Sequence, residues 1–205
     1  MKYVDLMHSF HRFTVFSLHD IKTMEPYFYR TRLNEWQRKG YIKKVVKEYY
    51  IFSDAPMDEQ VLCEIANRIY APSYISFEMA LSYYQIIPES IYSITSATTR
   101  KTHAFKTFFA EFMYRSIKPA LFFGYKLIPY NSKYFKIAYP EKALLDHFYL
   151  NSHLRQKDDF ENLRMDSEIF FEQIHEEALF NYLEKYANKA LSRRITKFWE
   201  FMKHA

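Results

Sequence analysis

Apolar positions change their period several times along the chain, and each change marks an element. Residues 3–11 set Tyr3 or Val4, Met7 and Phe10 three or four apart, one stripe of a helix. Phe13-Thr14-Val15-Phe16 is a short β-prone run. Ser17 suits an N-cap for a short helix over 18–24, with Asp20 in its first turn. Pro26 suits the first turn of the next helix and Gly40 its C-terminal stop. Within that helix Tyr29, Leu33, Trp36 and, at the margin, Phe28 face inward, while Arg30, Thr31, Asn34 and Arg38 point elsewhere. Two β-rich pieces, 41–45 and 49–52, joined by Lys47-Glu48, read as a hairpin.

Ala55-Pro56 marks a boundary, after which Val61, Leu62, Ile65 and Ile69 share a face of a helix over 57–70. Ala71-Pro72 stops it. Ser76 suits the cap of a helix over 76–85 with Phe77, Ala80, Leu81 and Tyr84 inward, ended by Pro88. Strand character returns over 91–99, 111–117, 121–128 and 134–138, and Pro140 opens a helix to 150. Residues 151–165 are polar and mixed in charge, a linker or a poorly packed helix. Asp166 or Ser167 caps the next helix. Three stripes then close the chain: Phe170, Ile174 and Ala178; Leu179, Leu183 and Tyr186; Leu191, Ile195, Phe198 or Trp199, and Met202. They pack internally or offer a partner surface. The expected fold is α+β: an N-terminal winged helix-turn-helix over 1–55, then an α+β domain over 56–205 with a mixed or antiparallel sheet and a helical tail from 166.

Composition narrows the function. At 205 residues, 49% apolar and 26% charged, the chain is long and apolar enough to fold. Only two glycines are present, too few for a Gly-rich phosphate cradle, which disfavours ATPase, GTPase and dinucleotide-dehydrogenase readings. A single Cys63 excludes a disulfide framework and a cysteine zinc site, and fits a reducing, cytoplasmic setting. No stretch approaches the ~20 apolar residues of a membrane span, so no membrane partner is expected. Aromatics reach 20%. They build a core of large rings or, in the sharper alternative, platforms for unpaired bases.

Charge is concentrated at the front. Residues 1–55 hold 10 Lys and Arg against 6 Asp and Glu, residues 56–150 hold 10 against 8, and residues 151–205 hold 9 against 10. Within 26–47, seven cations face the single anion Glu35. Such a density attracts phosphate, because each neutralised phosphate releases counterions. A solvated charged face is the plainer alternative. Helix, short helix, basic helix and basic ribbon is the order of a winged helix-turn-helix, whose third helix enters the major groove. Arginine bridges the two acceptors of guanine and asparagine pairs with adenine. Arg30, Thr31 and Asn34 are therefore base-edge candidates. Arg32, Arg38, Lys39, Lys43, Lys44 and Lys47 are cast as phosphate contacts, which position without reading sequence. A winged helix that binds protein is the alternative.

The middle of the chain carries a resemblance. Pro72-Ser73-Tyr74-Ile75-Ser76-Phe77-Glu78-Met79-Ala80-Leu81-Ser82-Tyr83-Tyr84, then Ile87-Pro88, Ile94-Thr95 and Thr98, resembles the abortive-infection AbiE-type antitoxin family. Ile137-Ala138-Tyr139-Pro140-Glu141-Lys142-Ala143-Leu144-Leu145-Asp146 is similar to that family's second landmark. Together with the basic hairpin the likeness covers roughly residues 10–150. The chain departs from the family pattern at Glu48, where glycine is expected before the tyrosine. The resemblance implies a winged-helix transcriptional regulator that represses its own operon at inverted repeats in double-stranded DNA. It also implies the antitoxin of a type IV toxin–antitoxin pair, countering a nucleotidyltransferase-like toxin through a shared target without a stable complex. A monomer or weak dimer is expected. The polar positions of the two landmarks are Tyr74, Ser76, Glu78, Glu141, Lys142 and Asp146. Lys142 and Asp146 are i,i+4 partners and Glu141 sits in a helix first turn, which is a sufficient structural account; an antitoxic or ligand role is the alternative.

Catalytic chemistry is thin. His8 and His11 stand i,i+3 with no third ligand nearby. Asp146, His147 and His153 lack a nucleophile at suitable spacing, and Asp158-Asp159 with Glu161 is a charge run. The chain is expected to be no enzyme and to use no cofactor or metal. A protein-interaction scaffold and a metal-dependent nucleic-acid enzyme are the rival classes.

Overall fold

The structure, a computed structural model, describes residues 1–88 and 93–205. It is α+β, with two sheets and helices spread along the chain. The front of the chain forms α1 (Tyr3–Phe10), β1 (Phe16–Ser17), α2 (Leu18–Met24), α3 (Thr31–Arg38), β2 (Ile42–Val46) and β3 (Tyr49–Phe52). The strands make an antiparallel sheet in the order β1-β3-β2. Ser17 caps α2 as its sequence implies. Its hydroxyl accepts from the Asp20 N–H at 3.0 Å, and the Asp20 carboxylate accepts from the Ser17 N–H at 2.7 Å.

The third helix is shorter than the sequence predicts. Pro26 does not open it. Pro26 sits instead in a turn closed by the Phe28 N–H donating to the Glu25 carbonyl at 3.0 Å, a place that its fixed φ suits equally well. Phe28 then tucks into the core, 4% exposed, and its ring lies 5.7 Å from that of Trp36. The neighbours on either side turn outward: Tyr27 is 89% and Tyr29 74% exposed. Tyr29 is therefore not the inward residue its spacing suggests, because the segment holding it is not helical.

The small sheet lies between two apolar clusters. Tyr50 and Phe52 join Leu6, Phe10, Leu33 and Trp36 in one. Ile51, between them on the strand, joins the second, far larger cluster. Period-two alternation places successive β3 side chains on opposite faces. On β2 the pairing register slips between Lys44 and Val46, and Ile42 enters the first cluster while Val45 enters the second. Glu48, in the connecting turn, has φ 70°. A polar joint reinforces the seam: the Thr14 and Tyr130 hydroxyls donate to the buried Glu64 carboxylate, and Lys133 Nζ donates to Thr14 Oγ1 at 2.8 Å.

Next come α4 (Glu59–Ile69), β4 (Ser73–Ile75), α5 (Phe77–Tyr83), β5 (Ser93–Thr98), β6 (His103–Lys106), β7 (Glu111–Ser116), β8 (Tyr125–Tyr130), β9 (Lys133–Ala138) and α6 (Pro140–Leu150). The sheet runs β6-β7-β5-β4-β9-β8 and is mixed: β5–β7 and β4–β9 are parallel, the other pairs antiparallel. β4 and β6 carry no alternation long enough to announce them. The expected strand over 121–128 begins later, at Tyr125, after a 3-10 turn over Pro119–Leu121 and Gly124 at φ 69°. Ile91 and Tyr92, expected to begin a strand, lie outside the described residues.

The chain closes with α7 (Lys157–Glu161), α8 (Ser167–Gln173), α9 (Glu176–Lys185) and α10 (Lys189–Met202). The polar stretch 151–165 is anchored, not loose: Leu154 and Phe160 are buried, and the Phe160 ring lies 5.2 Å from that of Phe198. The hub is α6, buried at every position from Pro140 to Phe148. Arg194 on α10 caps its far end, donating to the carbonyls of Phe148 at 2.8 Å and Asn151 at 2.9 Å.

Both glycines have positive φ, but they differ in surroundings. A Cβ on Gly40 would meet nothing within 4 Å, whereas one on Gly124 would stand 3.1 Å from Lys142 Cγ. Gly40→Ala is expected to cost about 1 kcal/mol, from backbone strain alone. Gly124→Ala is expected to cost at least twice that, read by urea unfolding; equal losses would contradict the close approach.

Candidate nucleic-acid interface and buried polar network

α3 is held by two side chains, Leu33 and Trp36, both in the first cluster. Its polar positions consequently point away from the core. Thr31, Arg32, Asn34 and Arg38 are all exposed, as is Arg30 at the N-cap. The helix ends where Gly40 takes φ 73° and the Tyr41 N–H donates to the Trp36 carbonyl at 2.9 Å. Lys39, Lys43, Lys44 and Lys47 come next, again all exposed. The structure thus leaves every one of the nine predicted nucleic-acid-contacting side chains in solvent, on one short helix and the hairpin after it.

Most of these charges are uncommitted. Among the described residues, Lys39 is the one cation of the seven that forms an ion pair, with Glu35 at 2.7 Å. The hydrogen bond and the opposite charge raise the Lys39 pKa and lower that of Glu35. Arg32 donates to the Met1 carbonyl at 2.7 Å.

Five of the six landmark side chains behave in the opposite way and go inside, while Glu78 is half-buried. Asp146 Oδ2 accepts from the hydroxyls of Tyr74 at 2.8 Å and Ser76 at 2.9 Å. Its Oδ1 accepts from Lys142 Nζ and from the Tyr186 hydroxyl at 2.8 Å. Lys142 Nζ also donates to that hydroxyl at 2.7 Å. The ammonium lies 5.0 Å from the ring centres of Phe123 and Tyr186, and 5.6 Å from that of Tyr74. Burial pulls the Lys142 pKa down, against the opposing pull of Asp146. Burial, with Asp146 beside them, pushes the Tyr74 and Tyr186 phenols up. Ser76 stands at the N-cap of α5, but its hydroxyl makes no cap bond, being committed to Asp146. The i,i+4 pairing of Lys142 and Asp146 is present, with both side chains fully enclosed.

Glu141 accepts from the His175 N–H at 3.0 Å and so fixes the start of α9. Glu78 Oε1 meets Arg115 Nη1 at 2.9 Å and His147 Nδ1 at 3.4 Å, and its Oε2 is buried without a hydrogen-bond partner among the described residues. Burial acts to raise the Glu78 pKa. The hydrogen bond and charge of His147, and the charge of Arg115, outweigh it and hold the carboxyl at about 2. The pattern of the sequence missed Tyr186, whose ring belongs to an apolar stripe while its hydroxyl joins the network, and Arg115, which carries no local signal.

The enclosed network is buried and ties β4, α6 and the end of α9 together. His11 Nδ1 lies 2.8 Å from the His8 carbonyl oxygen. Asp159 accepts from the N–H groups of Arg155 and Gln156 at 2.9 Å, which lowers its pKa. His147, His153, Asp159 and Glu78 line one cleft of about 320 Å³. Among the described residues no three His, Cys, Asp or Glu side chains are placed to hold a metal ion, and no helix is long and apolar enough to cross a membrane. Neither a protein-family model nor a curated protein matches the chain.

Asp146→Asn leaves a buried ammonium without its counter-charge and is expected to cost about 3–5 kcal/mol in urea unfolding. Adding Lys142→Met is expected to return part of that loss; an additive double variant would mean the two groups do not interact. Glu78 gives a pH test. Its folded pKa of about 2 lies below the ordinary 4.5, so the ionised group stabilises the fold above pH 4.5 and the contribution fades as pH falls toward 2. Glu78→Gln is expected to flatten the stability–pH curve over that interval; a variant that loses stability as steeply as the parent would refute the assignment.

Proposed function

We propose that this protein is a DNA-binding transcriptional regulator of the AbiE-type antitoxin kind, with residues 1–55 as a winged helix-turn-helix domain and residues 56–205 as an α+β antitoxin-type domain. The observation that carries the reading is the outward set on α3 and the hairpin after it: nine polar side chains in solvent, seven of them cationic, beside a helix seated by Leu33 and Trp36. Arg30, Thr31 and Asn34, at the leading end of α3, meet base edges. Arg32, Arg38, Lys39, Lys43, Lys44 and Lys47 meet phosphates. The turn of the hairpin supports the family reading. Glu48 stands where the family has glycine, and its φ of 70° is the conformation glycine favours.

In this reading the protein is cytoplasmic, a monomer or weak dimer, and represses its own operon at inverted repeats. It counters a nucleotidyltransferase-like toxin through a shared target without a stable complex. The landmark residues Tyr74, Ser76, Lys142 and Asp146 serve as the frame of the antitoxin-type domain, since all four are sealed from solvent.

Titrating the duplex upstream of the gene across 50–200 mM salt tests the reading. Affinity is expected to fall steeply with salt. Arg38→Ala and Lys43→Ala are each expected to reduce the log–log slope by about 1. Arg30→Ala is expected to cost about 1–3 kcal/mol and to relax the choice of base. Binding that ignores salt, or that survives all three changes, would overturn the regulator.

A further inference from the structure

The turn into α3 exposes large side chains close together in the sequence. Met24 is 57%, Tyr27 89% and Tyr29 74% exposed, three large side chains within six residues. The cause is local. Phe28 is drawn into the core against Trp36, and the residues on either side of it, in a non-helical turn segment, point out. Among the described residues neither Tyr27 nor Tyr29 contacts another ring or gives its hydroxyl a partner. Lys22, Arg30, Arg32 and Arg38 surround this segment in the sequence, all exposed and without an ion pair among the described residues. Exposed rings flanked in the sequence by exposed cations are complementary to a polyanion that offers apolar groups.

We propose that Tyr27 and Tyr29 are specificity-determining residues that contact the 5-methyl groups of thymine in duplex DNA. The inference rests on the regulator reading above and names what that surface selects. Every Cα–Cβ bond of a helix tilts toward its N-terminus, so Thr31 and Asn34 lean toward the end of α3 that the tyrosines precede. A helix entering the major groove leads with that end. In a duplex the base faces are stacked and covered, and the thymine methyl is the apolar group displayed on the major-groove edge. Rings beside a helix that reads that groove therefore meet methyls before any other apolar surface.

Replacing thymine with deoxyuridine removes the methyl and keeps every hydrogen-bonding group. The duplex upstream of the gene is prepared in both forms and titrated at one salt concentration with the parent chain, Tyr27→Ala, Tyr29→Ala and Tyr29→Phe. The parent is expected to bind the deoxyuridine form about four-fold more weakly for each methyl contacted. The alanine variants, at exposed positions and with unchanged melting temperature, are expected to lose that difference, and Tyr29→Phe to keep it. Equal binding of both duplexes by the parent overturns the proposal and leaves the regulator standing. Alanine variants that weaken on both duplexes alike also overturn it, placing the rings against sugar or phosphate. Tighter binding to the unpaired strand than to the duplex overturns it in favour of stacking. No duplex binding by the parent overturns the regulator itself.

Discussion

A carboxylate taken out of water must find donors for its lone pairs or lose its charge, and Asp146 finds them on two elements besides its own. Tyr74 and Ser76 come from β4 and the residue after it, Lys142 from one turn back on α6, and Tyr186 from the end of α9. Each donor is costly to orphan in a dry interior, so each holds the others. One negative charge thereby ties β4, the hub helix and the end of α9 together. Gly124 belongs to the same arrangement, since a Cβ there would press on the lysine stem at 3.1–3.3 Å.

The front of the molecule is organised differently. Its helix α3 is short and mostly polar, and two apolar residues must seat it. That leaves the rest of its surface to solvent, where a row of cations repels itself unless an anion arrives. The back of the chain has nearly balanced charge and uses its aromatic rings for packing, as in the contacts among Phe148, Phe160, Phe170 and Phe198.

How much of the fold was legible in the sequence depends on how local each cause is. Ser17 with Asp20, and Asp166, cap helices through bonds within three residues, and both are where the sequence places them. The stripes of α9 and α10 are equally local and pack as their spacing implies. Tyr29 misled because Phe28, one residue away, had the stronger claim on the core. Ser76 misled because a partner 70 residues distant outcompeted the nearby backbone N–H. β4 and β6 were invisible because three or four residues cannot show a period, and their extension is imposed by neighbours in the sheet. The landmark polar residues were visible as a motif, but which of them would be enclosed depended on Tyr186, far along the chain.

The slipped register of β2 has a mechanical meaning. One strand lends Ile42 to the first cluster and Val45 to the second, with Lys43 and Lys44 held between them. Close-packed interiors yield little, and shifting this strand would disturb two of them together. The lysines are thus mounted on a stiff bracket, pinned on both sides, whose displacement toward either cluster would open a gap in the other.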